Sequence, residues 1–175
     1  MRIPQLVLAV AGTLMCTGCS ELISLHPFVS DKEAVQDARL LGVWVDEDDT
    51  YQVRQDGNGY LINYTEKKAT NVYKLKAKML KVGDARILDL TPVEEDPFRL
   101  AVHTPVRVWF EGATLKIAFL HSQWMKDHAA AELAVQDAGD RMLITSPDEA
   151  VTHFLMTYGG DDRAYKDTGV LTRQP

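Results

Sequence analysis

The chain has 175 residues, 46% of them hydrophobic and 25% charged. That mix fits one soluble globular domain and excludes a disordered chain, a collagen-like repeat and a multi-span membrane protein. The formal net charge is −6, which argues against nucleic acid as the main partner, because phosphate binding needs clustered Lys and Arg.

The chain opens on Arg2, followed by an apolar run from Leu6 to Met15 and then small residues. The run is too short to cross a ~30 Å hydrocarbon layer as a helix, and the order is that of a secretory signal peptide, residues 1–18. Thr17-Gly18-Cys19 resembles the lipobox of bacterial lipoproteins, with Cys16 where that motif usually carries Leu. The resemblance implies cleavage before Cys19 and lipidation of its thiol, which gives a domain anchored to the cell-envelope membrane. Ser20 in place of the Asp retention signal implies transfer to the outer membrane, on its periplasmic face. One cysteine remains after cleavage and it carries lipid, so no intramolecular disulfide can form.

Residues 19–29 read as a lipidated tether, yet Leu22, Ile23, Leu25, Phe28 and Val29 are too apolar for a bare linker, so part of it should pack on the domain. Ser30 and Glu33 fit a capping box, which predicts a short helix over 31–38. From residue 40 to 121 the hydrophobic period is two. Strands are expected at 40–46, 51–55, 60–65, 72–81, 85–91, 102–111 and 114–121. Asp56-Gly57-Asn58-Gly59, Gly83-Asp84 and Glu111-Gly112-Ala113 supply the turns. Pro92 and Pro97 bracket an acidic loop, Glu94-Glu95-Asp96, and Pro105 should interrupt or bulge its strand. A helix is expected over 122–135, with Trp124, Met125, Ala129 and Leu133 apolar. An eighth strand is expected at 141–145. Ser146-Pro147-Asp148-Glu149 then starts a helix with Ser146 as N-cap. Its face of Val151, Phe154, Leu155 and Tyr158 should lie against the wall of the fold, and Gly159-Gly160 should stop it. Residues 166–175 read as a loosely attached tail.

A meander of short strands avoids open edges by closing into a barrel. The expected fold is therefore mainly β: an antiparallel up-and-down barrel of about eight strands over residues 30–165, with a short N-terminal helix and two later helices. Leu41-Gly42-Val43-Trp44 resembles the Gly-x-Trp element on the first strand of lipocalins, which implies that the Trp44 indole closes one end of the barrel. The Thr-Asp pair that the family carries in a later turn is absent. For an Arg stacked on that indole, both Arg107 and Arg141 are candidates. The pattern as a whole resembles a group of small bacterial lipoproteins of no known activity.

Tyr51, Tyr60, Tyr64 and Tyr73 share one alternating face, and Lys74, Lys76 and Lys78 of the basic stripe Lys74, Lys76, Lys78 and Lys81 take the other. Ammonium groups belong in water, so the tyrosine face should point inward, with Trp44 and these four tyrosines as candidate ligand contacts. A filled core is the alternative reading of the same face, and a void of ~300 Å³ or more would favour a binder. The lysines read as a solvated outer face, or as a contact with anionic headgroups. The five histidines, 26, 103, 121, 128 and 153, have no metal-ligand spacing. No catalytic motif and no Gly-rich phosphate loop is present, so neither an enzyme nor a cofactor is expected. Two functions remain: a membrane-anchored barrel holding a small apolar or amphipathic ligand, or a filled barrel that docks on an envelope complex through its outer surface.

Overall fold

The computed structural model describes residues 21–47, 49–66, 72–93, 100–129, 131–139 and 141–175. The signal peptide, Cys16, Cys19, Asp48 and the acidic loop of residues 94–96 with Pro97 lie outside them. Seven strands follow one another as β2 (Gly42–Val45), β3 (Asp49–Asp56), β4 (Gly59–Glu66), β5 (Val72–Val82), β6 (Ala85–Pro92), β7 (Thr104–Glu111) and β8 (Thr114–Leu120). Each pairs antiparallel with the next. The tight turns are set by glycines at positive φ: Gly57 at 58°, Gly83 at 58° and Gly112 at 59°.

The eighth barrel strand is β11 (Tyr165–Arg173), which pairs with both β8 and β2 and closes the ring. The protein is therefore a closed, eight-stranded, antiparallel, lipocalin-like barrel. The segment read as a tail is the strand that completes it. Leu171 is buried inside the barrel while its neighbours Val170 and Thr172 are exposed, because one face of the closing strand meets water. The expected eighth strand is instead β10 (Arg141–Ile144), which sits outside the barrel in a small sheet with β1 (Glu21–Ser24) and β9 (Val135–Asp137).

Local readings also shift. The expected helix over 31–38 is a single turn, because Val35 donates its N–H to Met79 O at 2.8 Å and is drawn into a strand-like bridge. A 3-10 helix at Ala38–Leu40 follows. The Ser30 hydroxyl bonds the Glu33 carboxylate rather than the Glu33 amide. Strand β7 starts at Thr104, so Pro105 sits near its beginning, where a missing N–H is tolerated, and the ladder to β8 begins at Val106. Helix α1 runs Ser122–Ala129, shorter than expected, and Val135, the last residue of the expected helix, begins β9 instead. Helix α2 runs Asp148–Tyr158 with Pro147 as N-cap. Ser146 is buried and its hydroxyl accepts the Ala134 N–H at 2.7 Å, so it is not available to cap the helix.

Two apolar clusters result. Outside the barrel, Val151, Phe154 and Leu155 of α2 pack on Leu80 and Ile87 of the wall, together with Leu22, Phe28, Val29, Trp124 and Met125. The apolar N-terminal segment thus docks on the domain: Leu22, Ile23, Phe28 and Val29 are buried and Leu25 is exposed. Inside the barrel, Trp44, Val53, Tyr60, Ile62, Met79, Leu88, Val106, Val108 and Leu115 form the second cluster.

Candidate ligand cavity

The barrel has one sealed end. The 3-10 helix lays Leu40 across it, and Trp44, 2% exposed, donates its Nε1–H to Leu40 O at 2.7 Å. The Arg173 guanidinium stacks on the Trp44 ring with its Cζ 5.4 Å from the centroid and bonds the Leu41 carbonyl. Neither Arg107 nor Arg141 takes this place. Arg107 lies on the outer face with Asp162, Trp109 and Tyr165, and Arg141 stands opposite Glu21 in the outer sheet. Gly42 has φ +129°, and a Cβ there would stand 3.1 Å from the Arg173 guanidinium, so this position requires glycine for conformation and for space.

Around this plug, Asp37 accepts from Arg39 Nη2 at 2.6 Å and from Arg86 Nε at 2.7 Å. The Arg39 hydrogen bonds, joined by that of Arg86, hold its carboxyl well below the usual carboxylate range. Tyr60 is buried here, and its hydroxyl accepts the Asp37 N–H at 2.6 Å. That phenol is a structural part of the plug.

Above the plug lies a cavity of about 260 Å³. Its walls are apolar side chains from every barrel strand, among them Val53, Ile62, Leu75, Leu88, Leu90, Val106, Val108, Ile117 and Leu171. An engineered apolar void of ~150 Å³ stays dry and takes up benzene, so this space is well above a packing defect. It falls just short of the ~300 Å³ at which typical ligand sites begin. Of the candidate contacts, Trp44, Tyr51 and Tyr64 line it, whereas Tyr60 and Tyr73 do not. Tyr73 sits on the rim, and its ring stacks on Tyr64 at 5.8 Å, which in turn meets Tyr51 at 5.1 Å. The three rings form a row across β3, β4 and β5, from exposed Tyr73 to Tyr51 on the cavity wall.

The open end is polar on the tyrosine side. Tyr64 donates to Asp49 Oδ2 at 2.9 Å, and Glu66 Oε1 is 3.5 Å from the same hydroxyl. Burial, then that hydrogen bond and the Asp49 charge, push the Tyr64 phenol up. Burial, then the charges of Asp46 and Asp49, do the same for Tyr51. Both phenols stay protonated at neutral pH.

Lys74, Lys76 and Lys78 face outward, and Lys78 pairs with Asp31 at 3.0 Å. Lys81 falls on the opposite phase of β5, at the sealed end. Among the described residues no group of three or more His, Cys, Asp or Glu could hold a metal ion.

Sequence reasoning passed over a second polar group, on the outer wall. Asp89, 3% exposed, accepts the N–H groups of Phe28 at 3.0 Å and Val29 at 3.3 Å and lies 3.0 Å from His103 Nδ1. It pins the N-terminal segment to β6. The only signal was a carboxylate inside the apolar run Ile87-Leu88-Asp89-Leu90. Comparison with protein-family models, with curated proteins and with solved structures finds no significant match to this chain.

Proposed function

We propose that this protein is a non-enzymatic envelope lipoprotein, held to the periplasmic face of the outer membrane through lipidated Cys19, whose barrel binds one apolar chain. The cavity carries this reading: an apolar space of about 260 Å³, sealed by Trp44 and Leu40 at one end and reached past three tyrosines at the other. Burying a chain there is favourable at roughly 0.8 kcal/mol per methylene.

The mouth also selects the polar head. Tyr64 has committed its proton to Asp49, and Glu66 is beside it. A fatty-acid carboxylate would meet the carboxylates of Asp49 and Glu66, whereas a hydroxyl, amine or zwitterionic head can donate to them. The ligand class is therefore a single-chain amphiphile with a neutral or cationic head.

The test is a fluorescence titration of the protein with a long-chain alcohol, a long-chain amine and a fatty acid. The expected result is a saturable change with the first two, weak or absent with the third, and lost in Trp44→Phe. No saturable change with any of the three would remove the reading. A native mass spectrum of the purified protein with a retained chain would identify the ligand directly.

A further inference from the structure

The closing strand changes phase where it reaches the open end. Leu171 of β11 is buried and lines the cavity. Strict alternation from Leu171 would turn Gly169 and Tyr165 inward and Lys166 outward. The pairing with β8 differs: β11 takes three residues from Gly169 to Lys166, while its partner goes from Ile117 to Phe119 in two. The extra residue is a bulge, and beyond it each side chain changes face; bulges at barrel rims re-aim side chains in this way. Tyr165 is therefore outside, where its hydroxyl donates to Gly159 O at 3.0 Å and the Arg107 Cζ stands 5.2 Å from its ring centroid. Lys166 takes the inner face, directly opposite Phe119, which lines the cavity and is 46% exposed at the rim. Lys166 itself is exposed and has no ion-pair partner among the described residues.

The other side of the opening carries the opposite charge. Asp49 begins β3 and Glu66 ends β4, and the two stand directly opposite each other on the face of Tyr51 and Tyr64. Like charges so placed repel. The Tyr64 hydroxyl between them brings no positive charge, and neither carboxylate has a cationic partner among the described residues. In the ring of eight strands β4 is three places from β11, so these acids and Lys166 face one another over the mouth. Two carboxylates against one ammonium also leave the mouth net negative, which still opposes a lone anion.

We propose that the barrel selects a single-chain amphiphile with a zwitterionic head, its ammonium held between Asp49 and Glu66 and its phosphate or carboxylate held by Lys166. This rests on the chain-binding reading above and narrows the head to one that carries both charges. Such a head pairs both sides of the mouth at once while its chain fills the apolar cavity. An alcohol leaves all three charges unpaired, and an amine leaves Lys166 unpaired.

The test is a fluorescence titration with four probes that share one chain, each below its micelle concentration: dodecanol, dodecylamine, the dodecyl ester of phosphoethanolamine and N-dodecyl-β-alanine. At least one of the two zwitterions is expected to bind about fivefold tighter than dodecylamine, the scale of one exposed ion pair. The tighter of the two identifies the anion as phosphate or as carboxylate. The advantage should shrink at high salt, vanish in Lys166→Gln and return in Lys166→Arg. Lys166→Glu should instead tighten dodecylamine. Equal urea midpoints for these variants would show that the fold is unchanged. Zwitterion affinity that is the same in the wild type and in Lys166→Gln, with dodecanol and dodecylamine still bound, overturns the head assignment and leaves the chain-binding reading standing. No saturable response to any of the four removes both.

Discussion

Outside the barrel, Phe154 and Leu155 of α2 reach 1% and 0% exposure against Ile87, and Trp124, Met125 and Phe28 fill the space around them. Inside, Val53, Ile62, Val106 and Val108 are as well shielded from solvent, yet they surround about 260 Å³ of empty space. The difference comes from what sets the distance between facing surfaces. A helix docked on a sheet settles until its side chains touch, so large aromatics give a dense contact. A closed barrel has its radius fixed by strand number and by the hydrogen-bond ladder. Valines facing one another across it cannot draw the walls together, and the shortfall in side-chain volume remains as a cavity.

That contrast can be broken most directly on the dense side. Phe154→Ala should cost about 3–5 kcal/mol in a urea titration, the range for a buried aromatic that leaves a hole, with chain binding by the folded fraction unchanged. A loss below ~1 kcal/mol would mean that α2 is loosely docked and that the two clusters do not differ. A smaller effect is expected at Gly159, where an added Cβ would stand 2.3 Å from Ile87 Cδ1 and 2.4 Å from Leu155 O. Gly159→Ala should cost about 1–3 kcal/mol by overpacking, while Gly160→Ala, whose nearest neighbours are 3.9 Å away, should cost much less.

The plug between the two regions supplies a pH test. Asp37 is held below the usual carboxylate range in the folded protein, first by Arg39 and further by Arg86. The folded state therefore binds fewer protons at this site than the unfolded chain. Its contribution is fully present above the unfolded carboxylate pKa, ~3.9, and is lost as pH falls further toward the folded value. Urea midpoints between about pH 5 and pH 3 should fall more steeply in the wild type than in Asp37→Asn. Parallel curves would mean that the Arg39–Asp37–Arg86 cluster does not hold the plug.

The smallest change in stability is expected inside. Leu75→Phe puts extra volume where space exists, so stability should stay within ~1 kcal/mol of the wild type, in contrast to overpacking a filled core. The same substitution should abolish the fluorescence response to long-chain alcohols. A large loss of stability with binding retained would show that the interior packs differently from this structure.

Much of this was legible in local pattern. The alternation from residue 40 to 121, the glycine turns and the face of Val151, Phe154 and Leu155 follow from side-chain periodicity and backbone preference, which act over a few residues and can be read from them. The placement of Trp44 at a sealed end followed from its resemblance to a short element rather than from periodicity. The four tyrosines were legible as one face, but not their separate duties. Tyr60 joins the plug because Asp37 lies beside it, and Tyr73 stays on the rim because β5 begins there.

What the chain determined by itself was the strand series, its turns, its inner and outer faces and the apolar character of residues 22–29. Tertiary structure decided which strand closes the barrel, which Arg covers Trp44, what Asp89 holds and whether the interior is full. Each of these joins residues far apart in the chain: Tyr165–Arg173 against β2, Arg173 against Leu41, and Asp89 against Phe28. Barrel closure needs a hydrogen-bonding partner for two free edges, and a polar strand of modest hydrophobicity serves as well as an apolar one, so composition could not single it out. The cavity is the difference between a radius set by the ladder and the volume of the side chains inside it, and that difference exists only once the ring is closed.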